Sequence, residues 1–132
     1  MPQPPSPLRP RRFTALLLAA MLPFAASAPA ATAPAVDAEI SALIADLRDS
    51  GCRFQRNGRW HDAKRAAAHL QRKYDYARDD ADIPSAEAFI DGAASRSSLS
   101  GRAYRVQCGD AAEEDSRGWF LRRLQALRAK AG

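Results

Sequence analysis

The first 36 residues contain no aspartate and no glutamate, and the first acidic residue is Asp37. This stretch holds Arg9, Arg11 and Arg12, then an apolar run over residues 13–26, then small residues over 25–35. A basic start, a short apolar run and a small-residue region form the pattern of a secretory signal peptide. We therefore expect residues 1–30 to be a cleaved signal, with the cut undecided between positions 28 and 35.

The same region lacks an apolar run long enough for a permanent membrane anchor. The run over 13–26 has about 14 residues and contains Pro23, whereas a spanning helix needs about 20. Cysteine is absent near the expected cut, which excludes a lipid-modified cysteine there. An anchor is the less favoured alternative, so we expect no stable membrane insertion after cleavage and a periplasmic or secreted protein of bacterial type.

Positive charge is scarce once the signal is removed. The whole chain has a formal charge of +5, and loss of three arginines without any acid leaves +5 − 3 = +2. The remaining arginines are scattered among acids, and the aromatic residues mostly occupy positions with core periodicity. Both features argue against a nucleic-acid partner.

Cysteine and histidine are also rare, with two of each in the chain. In a small exported domain two thiols are expected to pair, which predicts a disulfide between Cys52 and Cys108. A metal would be left with His61, Asp62 and His69, whose spacing matches no standard ligand set. We therefore expect no metal and no cofactor.

Apolar periodicity predicts four helices in a single domain over residues 37–132, after a flexible Ala/Pro linker over 31–36. The helices are expected to begin near Asp37, Asp62, Ser85 and Ser116. Residues 52–55 and 103–108 read as short strands, and the Asn-Gly pair at 57–58 fits a hairpin or a strand-to-helix turn equally. The predicted class is α+β, mainly helical, with a two- or three-stranded antiparallel sheet and one disulfide.

Several short motifs follow one another along this predicted domain. They are Ser50-Gly51-Cys52, Phe54, Arg56-Asn57-Gly58, Ala68-His69-Leu70, Lys73-Tyr74, Phe89-Ile90, Ala94-Ser95, Ser97-Ser98-Leu99-Ser100-Gly101, Tyr104, Cys108 and Trp119. In this order and spacing the chain resembles the YfeK-like family of small exported bacterial proteins, over essentially the whole mature domain. Arg102 and Ala103 stand where that family's pattern has lysine and proline. The resemblance implies a domain of unknown function, with no catalytic residues to carry over.

Two loops rich in hydrogen-bond donors flank the predicted strand pair, and the disulfide would bring them together. Their residues, with the tyrosine that follows, are Arg53, Arg56, Asn57, Arg96, Ser97, Ser98, Ser100, Arg102 and Tyr104. Such a cluster suits an anionic or carboxylate-bearing partner. The alternative is a solvated loop edge whose serines satisfy local backbone groups. The leading hypothesis is a non-enzymatic binding or interaction module for an envelope protein or an anionic cell-wall component.

Two other functions stay open at this point. His69 and Lys73 lie at i and i+4 and would share a helix face. One alternative is therefore a small cell-envelope hydrolase in which these two residues activate Ser98 or Ser100. The sequence contains no Gly-x-Ser-x-Gly element around either serine. Separately, residues 100–104 are similar to the Ser-Gly-x-x-Tyr element of periplasmic lysozyme inhibitors, which are β-barrels. That similarity implies inhibition through Tyr104.

Overall fold

The computed structural model describes residues 1–8 and 32–132 of the chain. The predicted signal peptide falls largely on residues 9–31 and so lies outside the described residues. Within the described ranges, no helix combines the length and the apolar character needed to cross a membrane.

The chain from Pro34 onward forms helices around a small sheet. The helices are α1 (Pro34–Asp49), α2 (Ala63–Asp80), α3 (Ala86–Phe89), which continues into a π-helical segment (Ile90–Ala94), and α4 (Ser116–Ala131). The strands are β1 (Arg53–Arg56), β2 (Arg59–Asp62), β3 (Arg105–Gln107) and β4 (Glu114–Asp115). The predicted mainly helical α+β class is confirmed.

Side-chain caps fix where two of the helices begin. Asp62 accepts a hydrogen bond from the backbone N–H of Arg65 at 2.7 Å, and Ser85 accepts from that of Ala88 at 3.0 Å. Each cap satisfies one of the N–H groups that a helix start leaves without a partner. The predicted starts near Asp62 and Ser85 are therefore confirmed.

The first helix begins earlier than the sequence predicts. It starts at Pro34, and Asp37 lies inside the first turn, where its carboxylate accepts from the Tyr74 hydroxyl. Proline suits this end of a helix because its missing N–H would have no partner there. The predicted linker over 31–36 was therefore wrong for residues 34–36. Thr32 is also tied to the fold, since its hydroxyl accepts from the backbone N–H of Ile83 at 3.0 Å.

The sheet has four antiparallel strands in the order β2-β1-β3-β4, one or two more than predicted. Asn57 and Gly58 have φ values of 50° and 80°, which are the left-handed values that a two-residue hairpin requires. These values show that the Asn-Gly pair forms the turn of a β-hairpin and not a strand-to-helix turn. Strand β2 is the second strand of this hairpin. Strand β4 was missed because two residues are too few to show an alternating pattern.

The pairing of β1 with β3 lies at the centre of the sheet. Phe54 is opposite Val106, and Arg53 is opposite Gln107. Just beyond this register Cys52 and Cys108 form a disulfide with their Cα atoms 4.3 Å apart, as predicted. The covalent link and the strand pairing hold the same two segments together.

Helix α1 packs against α2, α3 and α4, and the sheet contributes its inward side chains to the same core. Phe54 and Val106 are both buried, and the Phe54 ring lies edge-on to Trp119 with centroids 5.3 Å apart. At the first turn of α4, the fully buried Ser116 donates to the backbone carbonyl of Ala94 at 2.7 Å. This bond joins α4 to the end of the π-helical segment.

Removal of the disulfide should destabilise the domain strongly. The Cys52→Ala/Cys108→Ala double variant is expected to lose about 4 kcal/mol in free energy of unfolding. The two cysteines are 56 residues apart in the sequence, and without the bond the unfolded chain is no longer closed into a loop and gains conformational entropy. Urea denaturation measures this difference. The unmodified protein in excess reductant is the control and should match the double variant, whereas an unchanged urea midpoint in both would contradict the structural role of the bond.

Candidate functional site

Four side chains from separate parts of the fold meet beside α2 and form what we call the cationic cluster: Arg56, His69, Lys73 and Tyr104. Nη1 of Arg56 lies 3.1 Å from Nδ1 and 3.3 Å from Nε2 of His69. Nε2 of His69 is 3.3 Å from the Tyr104 hydroxyl. Nζ of Lys73 donates to the same hydroxyl at 3.2 Å and lies 5.1 Å from the centre of the Tyr104 ring.

The backbone explains why these residues meet. Arg56 is the last residue of β1, where the strand reaches the hairpin turn, and His69 and Lys73 occupy successive turns of α2. Tyr104 is held on both sides, since its N–H donates to the Ser95 carbonyl at 2.8 Å and its carbonyl accepts from the Ser116 N–H at 3.0 Å. The pairing of β1 with β3 therefore determines the distance from Arg56 to Tyr104.

Burial and neighbouring positive charge set the protonation states in the cluster. Burial, with smaller effects from Arg56 and Lys73, lowers the pKa of His69 to about 4, so this imidazole is neutral at pH 7. Burial and the charge of Arg56 lower the pKa of Lys73 to about 8. Burial also raises the pKa of Tyr104, which keeps its hydroxyl protonated.

One tautomer of the neutral His69 satisfies Arg56 and Tyr104 together. If Nδ1 carries the lone pair, it accepts from Arg56, and the Nε2–H then donates to the Tyr104 hydroxyl. The hydroxyl oxygen also accepts from Lys73, so its two lone pairs are used and its own proton is left to donate elsewhere. The cluster therefore presents donors, and an acceptor is the group that complements it.

The cluster contains positive charge without a matching carboxylate. Ion pairs to Asp or Glu are formed by seven other arginines: Arg48, Arg78, Arg105, Arg117, Arg122, Arg123 and Arg128. No carboxylate within residues 32–132 forms such a pair with Arg56 or Lys73, and residues 1–31 contain no acidic side chain. Partly buried charges in proteins are ordinarily paired, so this charge lacks its usual compensation.

A small cavity of about 100 Å³, here called the cationic pocket, lies between the β1–β2 hairpin and α2. Its polar lining consists of Gln55, Arg56, His61, Arg65, His69, Arg72 and Tyr104. The volume is enough for a few water molecules or for one small anion. Arg72 was not singled out from the sequence, although its i+3 spacing from His69 places both on neighbouring positions of the helix surface.

The two predicted donor-rich loops do lie side by side. The Ser100 hydroxyl donates to the Asn57 side-chain oxygen at 2.7 Å, and the Arg102 guanidinium lies next to Gly58. Ser97 is buried, and its hydroxyl accepts from the N–H groups of Leu99 and Ser100, each at 3.3 Å. Most serines here shape the loop, as the alternative interpretation proposed. Arg53 is separate from the cluster, because it donates to Gln107 at 2.9 Å.

The residues of the two alternative functions are placed as follows. Ser98 lines a groove together with His69 and Lys73, but among the described residues its hydroxyl forms no hydrogen bond with either. Ser100 is engaged by Asn57. Tyr104 is 6% exposed, so it would have to leave the cluster before it could enter the cleft of another protein.

Over residues 1–8 and 32–132, no group of three or more His, Cys, Asp or Glu residues is placed to hold a metal ion.

Comparison with known proteins gives a family and no activity. The pattern of a family of unknown function, DUF5329, matches residues 34–128, which is most of the chain and nearly all of the folded part. The chain belongs to this family. Neither a curated protein nor a solved structure matches the chain. The YfeK-like name remains a prediction from the sequence, and membership in DUF5329 assigns no chemistry to the cationic cluster.

The low pKa of His69 can be measured directly. NMR titration of the His69 ring should give a midpoint of about 4, well below the ordinary value near 6.5. As the pH falls, the unfolded chain protonates His69 at a higher pH than the folded protein does. The free energy of unfolding should therefore be highest above pH 6.5 and should decrease between pH 6.5 and 4. A His69→Gln variant should show a smaller decrease in that window. A midpoint near 6.5 would contradict the geometry of the cluster.

Proposed function

We propose that this protein is a non-enzymatic module that binds an anionic group at the cationic cluster. The groups suited to it are a carboxylate or a phosphate carried by a partner molecule. Arg56 and Lys73 supply the charge, and Tyr104 and the neutral His69 orient the donors. The turn at Asn57 and the loop over residues 97–102 form the rim around the cluster.

The observation that supports this most strongly is the lack of compensation. Seven arginines of this small domain have carboxylate partners. Among the described cations without one, Arg56 and Lys73 are partly buried, whereas the others are exposed to water. A half-buried lysine whose pKa is lowered by burial and by a neighbouring positive charge, as that of Lys73 is, is typical of functional sites. A bound anion would remove the repulsion and supply the missing acceptors.

The rim supports binding rather than catalysis. The hydroxyls of Ser97 and Ser100 form hydrogen bonds within the loop and across to Asn57, so these two serines hold the loops in place instead of standing ready as nucleophiles. A rigid rim with fixed donors reduces the entropy that binding must overcome. It also explains why two loops far apart in sequence are held together by side-chain contacts.

The proposed site of action is the periplasm or the cell exterior. The signal-like pattern over residues 1–30 and the disulfide both support export, because disulfides persist in oxidising compartments. Anionic partners available there include envelope proteins and carboxylate- or phosphate-bearing components of the cell wall. Binding of small anions is the simplest form of the proposal to measure.

Titration calorimetry with inorganic phosphate tests the proposal. The Arg56→Gln and Lys73→Met variants should each bind phosphate at least about tenfold more weakly than the unmodified protein, the effect of losing one hydrogen bond to a charged group. Lys73→Met removes the charge from an unbranched side chain and shortens it by one atom, and Arg56→Gln removes the charge but keeps a hydrogen-bond donor.

A Lys64→Gln variant is the matched control, because Lys64 is an exposed cation on the same helix. It should bind phosphate as the unmodified protein does. An equal loss of affinity in all three variants would mean attraction to net charge alone. No heat of binding from the unmodified protein with phosphate, acetate or citrate would refute an anion site at this cluster.

A further inference from the structure

A larger groove of about 620 Å³ begins at the cationic cluster and runs along α2. Its volume falls within the range of roughly 300–1,000 Å³ typical of small-molecule sites. One wall is the face of α2 at residues 69, 72, 73, 76, 77 and 80, and the other is α3 with the π-helical segment. The exposed lining is mainly apolar, and Tyr76 in that wall is 76% exposed.

The two ends of the groove carry opposite charges. Arg72 and Lys73 lie at the end beside the cluster, and Asp80 and Asp82 line the other end. None of these four forms an ion pair within the part of the chain that the structure describes. A positive end, an apolar middle and a negative end complement a ligand with a carboxylate, an apolar body and an ammonium group.

The length of the groove limits the size of such a ligand. Lys73 and Asp80 are seven residues apart on α2, which at 1.5 Å per residue places them about 10 Å apart along the helix axis. An extended peptide advances about 3.3 Å per residue. Three residues therefore span the distance between the charged ends.

The π-helical segment contributes to the shape of the groove. Gly92 and Ala93 both line it, and at Gly92 a Cβ atom would meet no other atom within 4 Å. The segment is held at both ends, because Ser95 donates to the Ile90 carbonyl at 2.6 Å and Ser116 donates to that of Ala94. Such π-helical turns occur frequently at functional sites, and this one places small residues where a ligand backbone would approach.

We infer that the groove binds a short linear peptide of about three residues with both termini free, its carboxylate at Arg72 and Lys73 and its ammonium at Asp80 and Asp82. This inference rests on the proposed anion site and deepens it, since Lys73 belongs both to that site and to the carboxylate position in the groove. The apolar side chains of the peptide would pack against Tyr76, Ile83 and Phe89, which all line the groove.

The test uses titration calorimetry with the tripeptide alanyl-leucyl-alanine and three modified probes: its N-acetylated form, its C-terminal amide, and octanoate as an apolar anion without an ammonium group. The unmodified protein should bind the free tripeptide most tightly. Acetylation and amidation should each weaken binding about fivefold, the effect of one exposed ion pair. A hexapeptide of the same residues should bind more weakly than the tripeptide.

Variants separate the two ends of the groove. In Asp80→Asn/Asp82→Asn the free and the N-acetylated tripeptides should bind alike, while phosphate binding is unchanged. Ala88→Trp should block the groove, since Ala88 lines it, and Ala126→Trp on the exposed face of α4 is its matched control. The aspartate variant remains informative even if Ala88→Trp does not fold.

The outcomes distinguish the two proposals. Phosphate binding that depends on Lys73, together with tripeptide binding no stronger than that of acetate, would overturn the peptide site and leave the anion site standing. Equal affinity for octanoate and the free tripeptide would likewise overturn it, because the acidic end would then contribute nothing. Absence of phosphate binding together with Lys73-independent tripeptide binding would refute the anion site and the carboxylate position inferred from it.

Discussion

The pairing of β1 with β3, closed by the disulfide next to it, is the constraint on which the rest of this domain depends. It places the hairpin turn after Arg56 beside the segment that carries Tyr104. Helix α2 follows that hairpin directly, so His69 and Lys73 are brought to the same place. Without this pairing the four side chains of the cationic cluster would belong to separate surface elements.

The cluster has an electrostatic cost in the free protein. Arg56 contacts a histidine that burial keeps neutral, Lys73 contacts the Tyr104 hydroxyl next to it, and no carboxylate forms an ion pair with either cation among the described residues. Elsewhere in the described residues the cations are either paired with acids, as Arg128 is with both Glu39 and Glu87, or exposed to water. Proteins commonly accept reduced stability where a binding site requires it, and the proposed anion site explains why this one position differs.

Much of the fold could be predicted from the sequence, because its signals are local. Apolar periodicity and the caps at Asp62 and Ser85 indicated the helices, and the count of cysteines in a chain with a predicted signal peptide indicated the disulfide. The two-residue strand β4 was missed because it has no period of its own. The start of α1 was predicted at Asp37 because aspartate is a common N-cap residue. In the structure its carboxylate instead accepts a hydrogen bond from the Tyr74 hydroxyl on α2.

The site was predicted only in pieces. The loop residues around Arg56 and the helical pair of His69 and Lys73 were assigned to different hypotheses, because only the tertiary fold shows that Arg56 contacts His69. Arg72 and the opposite charges of the groove were missed for the same reason. Spacing along one helix predicts which residues share a face, but not which other element that face meets.

If the charge of Lys73 is uncompensated until an anion binds, the free energy of unfolding must depend on pH near the pKa of this lysine. The pKa of Lys73 is lowered to about 8 in the folded protein, against about 10.4 in an unfolded chain, so the unfolded state holds more protons between these values. The free energy of unfolding in urea should therefore rise from pH 7 to 9 without sulfate, and this rise should vanish in saturating sulfate. The Lys73→Met variant, which controls for the general effect of sulfate, should show no such rise in either buffer. The same pH dependence in Lys73→Met and in the unmodified protein would show that the charge of Lys73 is not the cause.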